Sequence, residues 1–90
     1  MALQHKKIEK MVKAFANHRR IQILELLEKN PNLSVDQISQ NLNVSFFTTS
    51  DHVRKLSDAG LVDKKYKGRF VLHTITKTGK YVLSFCKMFK

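Results

Sequence analysis

Ninety residues with 17 Lys and Arg against seven Asp and Glu give a short chain of formal net charge +10. The length suits one domain with a modest core, and 42% apolar with 27% charged residues is a globular composition, not that of a disordered tail. The positive surplus favours a polyanionic partner, nucleic acid or an acidic surface, over a merely soluble basic protein.

The chain begins M-A-L-Q-H-K-K-I-E-K, which lacks the apolar core of a signal peptide. No apolar run approaches the ~18 residues of a membrane span, so no membrane partner is expected. Residues 2–16 form a helix candidate with Ile8, Met11, Val12 and Phe15 on one stripe and lysines opposite. Asn17 can cap a second helix from His18 to about Lys29. Ile21, Ile23, Leu24, Leu26 and Leu27 wrap more than one face of it, which marks it as the buried centre. Pro31 forces Asn30 out of helical geometry and closes the element.

Ser34 with Gln37 three residues on makes a capping box for a helix from Val35 to about Leu42, whose apolar face is Val35, Ile38 and Leu42. Asn43 tolerates the left-handed turn needed at a tight joint. Ser45 can cap the next helix, spanning 45–59, with Thr49, Val53 and Leu56 inward and Gly60 just past its end. Residues 61–66 and 70–76 read as strands around a basic turn at 67–69, a hairpin. A last helix, capped by Thr76 or Thr78, runs over 77–89 with Tyr81, Val82, Phe85, Met88 and Phe89 at helical spacing. The expected fold is mostly α (α+β), a single winged helix-turn-helix domain over 1–90 in the order α-α-α-α-β-β-α.

Helix, short turn, helix is the pattern whose second member can lie in a DNA major groove. A hairpin directly after it is a wing, and Lys64, Lys65, Lys67 and Arg69 can reach phosphates or a minor groove from its tip. The same basic hairpin alone would be a solvated edge protected against aggregation. Residues 34–60 carry two basic and three acidic side chains, whereas 61–90 carry eight basic and one acidic. Attraction to a polyanion must therefore come from the flanks of the reading unit.

On that unit Ser45 serves as a cap or a phosphate site, and Thr48 and Ser50 are small polar candidates for contact. His52 can meet a phosphate or sit half-buried. Arg54 can touch DNA, although Arg54 and Lys55 also suit the helix C-terminal dipole. His18, Arg19 and Arg20 oppose the dipole at their own helix N-terminus. A nearby phosphate would offset that cost, and Arg20 is the best placed of the three.

The run A-N-H-R-R-I-Q-I-L at 16–24 resembles the opening A-D-P-T-R-L-R-I-L of ArsR-type winged-helix repressors. S-x-x-T-T-S-x-H-V-x-x-L-x-x-A-G-L-V at 45–62 is similar to that family's recognition helix and first wing strand. G-R-x-x-x-H-x-I-T-x-x-G at 68–79 looks like its wing. The resemblance covers about 14–79. It implies a dimeric, sequence-specific DNA-binding regulator, usually a repressor, that binds double-stranded DNA as a homodimer; the single cysteine, which excludes an internal disulfide and fits a reducing compartment, makes the expected location cytoplasmic, at the nucleoid. It also implies that Phe46, Phe47, Ser50 and Asp51 touch the major groove. Phenylalanine packs on a thymine methyl but makes no bidentate bond, and an aspartate repels phosphate yet can accept from a cytosine amine.

Metal sensors of the family carry a cysteine pair where this chain has residues 33–37, or Asp and His along the last helix; neither is present. His5, His18, His52 and His73 fall on four different elements and form no chelating pair. No metal and no cofactor are expected. Cys86, the single cysteine, reads as a small apolar residue at a helix contact, with a redox-sensing thiol as the alternative.

The core is expected from Ile21, Ile23, Leu24, Leu27, Ile38, Leu42, Val53 and Leu56. That leaves Ile8, Val12, Phe15, Tyr81, Phe85 and Phe89 on helices 2–16 and 77–89 in surplus. A twofold interface would bury them and set two recognition helices about one DNA turn apart. The other possibility is that these helices cover a monomer's core. The competing function is a protein-interaction module that uses Phe46 and Phe47 as an apolar anchor. An enzyme is not expected, since no paired carboxylates, nucleophile with a base, or phosphate loop can be assembled.

Overall fold

A computed structural model describes residues 2–90. Its elements are α1 (His5–Phe15), α2 (His18–Lys29), α3 (Val35–Leu42), α4 (Phe46–Asp58), β1 (Val62–Lys67), β2 (Phe70–Ile75) and α5 (Lys77–Lys87). The order and the winged helix-turn-helix class are as expected, and several boundaries move inward. The first helix starts at His5, not at residue 2, because Gln4 offers no side-chain cap and nothing apolar before Ile8 packs inward. The last helix stops at Lys87 with Met88 as its C-cap, so Phe89 lies beyond it. Ser45 and Ala59 are caps of α4 and not members of it. The hairpin begins at Val62 and ends at Ile75, one residue inside the expected limits, whereas β1 runs one residue past its expected end, because Lys67 pairs with Phe70 and is not part of the turn.

The helix ends follow from local chemistry. Asn17 accepts hydrogen bonds from the backbone N–H groups of Arg19 and Arg20, and the Ser34–Gln37 capping box is complete. Asn43 takes the left-handed conformation (φ 55°, ψ 46°) that turns α3 into α4. The Thr76 hydroxyl, not that of Thr78, caps α5 by accepting from the Gly79 N–H at 2.9 Å, and it donates to the Gly60 carbonyl at 2.8 Å.

Helix α2 is the hub, and Ile23, Leu24 and Leu27 are fully enclosed on it. Ile38 from α3, Val53 and Leu56 from α4, Leu61 and Val62, and Val82 and Leu83 from α5 complete the core. Ile21 is not part of it. The buried face of α2 runs through residues 20, 23, 24 and 27, and Ile21 falls about a third of a turn away, half-exposed.

β1 and β2 pair antiparallel from Val62↔Ile75 to Lys67↔Phe70, which leaves a two-residue turn, Gly68 and Arg69. Gly68 supplies the positive φ of 62° required there. Leu33, just before α3, forms a bridge to His73 of β2, so the hairpin is fastened to the helix-turn-helix as well as to its own turn. The His73 ring is 2% exposed, and its Nδ1 lies 2.9 Å from the Leu33 carbonyl, which fixes Nδ1 as the donor.

Candidate nucleic-acid interface

Thr49, Val53 and Leu56 hold α4 to the body of the domain. Spacings of three and four then put Phe47, Asp51, Arg54 and Asp58 along the opposite, outermost stripe. That stripe is largely closed on itself. Arg54 meets Asp51 at 2.5 Å and Asp58 at 3.7 Å, and Lys55 reaches Asp51 at 3.3 Å. The Arg54 and Lys55 side chains hold the Asp51 carboxyl below the usual carboxylate range. The acid expected to meet DNA directly is thus answered by cations of its own helix.

At the helix start the Ser45 hydroxyl accepts from the Thr48 N–H at 3.2 Å and donates to the Thr48 hydroxyl oxygen at 2.9 Å. Phe46 and Phe47 meet edge to face, ring centres 6.0 Å apart. Their surroundings differ. Phe46, half-exposed, faces a groove of about 470 Å³ shared with Lys64, Tyr66, Arg69 and Phe70 of the hairpin. Phe47 is 85% exposed. The aromatic pair therefore adjoins the basic wing and is not a separate patch. Lys64, Lys65, Lys67 and Arg69 are all exposed. Ser50 sits half-exposed beside the outer stripe.

Arg20 and His52, assigned separately from the sequence, meet in space. The Arg20 Nε donates to His52 Nδ1 at 3.0 Å, and its Nη1 donates to the Ala14 carbonyl at 3.3 Å. This clasp joins α1, α2 and α4 and engages donors that the sequence reading directed at a phosphate. The clue was available: residue 20 stands three and four before Ile23 and Leu24, on the buried face of α2. His73 and Gly79 went unassigned for a different reason, since each acts on a segment distant in sequence.

The buried His73 and the half-exposed His52 both favour the neutral ring. Burial lowers the pKa of His73 from its ordinary 6.5, outweighing the Leu33 hydrogen bond, which raises it. Burial, and then the Arg20 charge, lower that of His52. An unfolded chain, with histidines near 6.5, binds more protons than the folded one below that pH. Stability is therefore full above about pH 6.5 and falls as the pH drops from there through the folded-state values. Urea melts between pH 7.5 and 5 should show the midpoint falling, with a smaller slope in H52Q and in H73Q and the smallest in the double variant.

Of the surplus apolar side chains, Ile8, Val12, Tyr81, Phe85 and Phe89 are exposed, from 42% at Ile8 to 72% at Phe89. Phe15 differs, since it packs against its own chain's core. Leu3 and Met88 add to the exposed set. The Cys86 thiol lies against the core, and burial pushes its pKa up. Among the described residues no three His, Cys, Asp or Glu side chains converge as a metal-holding group, and no helix is long and apolar enough to cross a membrane.

Residues 17–64 match the family described as bacterial regulatory protein, arsR family. The transcriptional activator HlyU of Vibrio cholerae is 38% identical over 68 residues, 76% of this chain and 62% of that protein. The HTH-type transcriptional regulator YgaV of Escherichia coli is 28% identical over 65 residues, 72% of this chain and 66% of its own length. The aligned stretch thus spans less than two thirds of either curated relative. The solved structure of HlyU from Vibrio cholerae superposes with a TM-score of 0.82 at 31% identity, covering 99% of this chain and 97% of that one. The homodimeric winged helix-turn-helix DNA-binding domain of Mb0332 from Mycobacterium bovis, a possible ArsR-family regulator, superposes at 0.83 with 25% identity, covering 92% of this chain and 77% of that one. These relatives are named as regulators, not as enzymes.

Proposed function

Because this chain belongs to the arsR family of bacterial regulatory proteins, we propose that it acts as a homodimeric, sequence-specific DNA-binding transcriptional regulator in the cytoplasm, at the nucleoid. The observation that carries this reading is the arrangement of one face. The start of α4 is free of the body, the groove beside Phe46 opens onto Lys64 and Arg69, and four cations ride the hairpin. A major groove accepts a helix of this kind, while Lys64, Lys65, Lys67 and Arg69 follow the backbone or the adjacent minor groove.

In this reading Ser45 and Thr48 approach the phosphates at the helix N-terminus, and Phe46, Phe47 and Ser50 face base edges. Asp51, Arg54, His52 and Arg20 enter the interface only by giving up internal partners: the Arg20–His52 bond ties α4 to α2, whereas the Asp51–Arg54 pair lies within α4 itself. Residues Ile8, Val12, Tyr81, Phe85 and Phe89 pair two protomers, with Phe15 supporting them from beneath. Bound dimers that cover a promoter would repress it. HlyU of Vibrio cholerae is named an activator, so a promoter reporter with and without the chain is the test of sign.

Duplex selection from a random pool, followed by titration at two salt concentrations, tests the whole reading. A selected duplex should bind tighter than random DNA by about 10³-fold or more, with affinity falling steeply as salt rises. Arg69→Ala is expected to weaken all duplexes alike and to flatten the salt slope by about one unit. Ser50→Ala should change the preference among duplexes and leave the slope alone. Equal, sequence-blind losses from both substitutions would remove Ser50 from any reading role.

A further inference from the structure

The outermost stripe of α4 limits what this helix can read. The helix carries no Asn or Gln, the residues that bond adenine in pairs of hydrogen bonds. Its one Arg, the residue type that most often reads guanine, is held between Asp51 and Asp58, and its one Lys is held by Asp51. What remains outermost at the N-terminal end, where recognition helices meet base edges, is Phe47, 85% exposed and braced edge-on by Phe46. An exposed aromatic ring offers a major groove no hydrogen bond. It can gain only by covering apolar surface, and the apolar surface that a natural base presents there is the thymine 5-methyl group.

We infer that Phe47 selects a 5-methylpyrimidine, thymine in ordinary DNA, at one position of each half-site by packing its ring on the methyl group. The inference rests on the DNA-binding reading above and specifies what that surface recognises. It also assigns the Asp51–Arg54–Asp58 ladder a part in selectivity: the acids compete with a guanine for the Arg54 side chain, so that an apolar contact adds to whatever Ser50 reads.

The test uses the full chain and the selected duplex, with thymines replaced symmetrically, one position at a time, by 2′-deoxyuridine. That change deletes only the methyl group and keeps every hydrogen-bonding atom. One replacement should weaken binding about fourfold per half-site, the value of one buried methyl. In F47A, whose ring lies outside the core and whose fold circular dichroism can verify, that duplex and its thymine parent should bind equally. At the same position 5-methylcytosine should bind tighter than cytosine to the native chain and not to F47A. If no deoxyuridine position matters, or if the penalty persists in F47A, the assignment of Phe47 is overturned while specific binding stands. If no duplex is preferred over random DNA, the regulator reading itself falls, and this inference with it.

Discussion

Gly79→Ala is expected to lower the thermal midpoint by roughly 10–15 °C, the equivalent of about 2 kcal/mol in a domain of this size. Helix propensity alone predicts the opposite sign, because alanine inside a helix is favoured over glycine by about 1 kcal/mol. The difference lies in the packing. A Cβ on Gly79 would stand 2.3 Å from the Leu61 carbonyl oxygen and 2.7 Å from Ile75 Cγ1. The first of these is backbone, fixed by the Thr76 N–H donating to it at 3.1 Å, and cannot swing aside. Helix α5 would have to lift from the base of the hairpin, an overpacking cost of about 3 kcal/mol that outweighs the propensity gain. Thermal denaturation of G79A beside S84A, an exposed position on the same helix, isolates the effect: S84A should match or exceed the native midpoint. A G79A midpoint at or above the native one would show that α5 does not press on Leu61 as described.

Breaking the proposed pairing of protomers should have the largest effect on DNA. Val12→Glu together with Phe85→Glu places charge on two exposed apolar positions, 45% and 51% accessible, and leaves the core untouched. Sedimentation should find native dimers and variant monomers with unchanged circular dichroism. Affinity for a two-half-site duplex should fall about 10²-fold or more, since the second half-site is no longer tethered to the first. Affinity for an isolated half-site should change little. Native protein that sediments as a monomer at micromolar concentration would leave these faces without their proposed partner.

Local patterns explain why so much of the architecture could be read in advance. The Ser34–Gln37 box, the left-handed Asn43 and the Asn17 cap each act within four residues, so α2 and α3 have the limits that spacing alone suggested. The apolar stripe of α4 was equally legible, because Thr49, Val53 and Leu56 repeat at helical intervals. Ends without a local stop signal were harder to read. Residues 2–4 are compatible with helix, but Gln4 provides no side-chain cap and Leu3 stays exposed, and the helix does not include them. At the interface, residue types indicated the wing cations but not their relation to Phe46. The pairings of Arg20 with His52, and of His73 with Leu33, span 32 and 40 residues and depend on tertiary packing. No spacing rule reports a side chain whose partner is that far along the chain.

The bridge between Leu33 and His73 bears on how quickly and how cleanly such a protein can dock. Many hairpins of this length would sway until a ligand stilled them, and the lost freedom would subtract from the free energy of association. Here the backbone N–H of His73 donates to the Leu33 carbonyl at 2.8 Å, the Leu33 N–H returns a bond at 3.3 Å, and the imidazole closes the same joint. The base of the hairpin is therefore already fastened to the segment before α3 when a ligand arrives. In the proposed complex with DNA, a hairpin anchored in advance at its root would have less freedom to lose on docking.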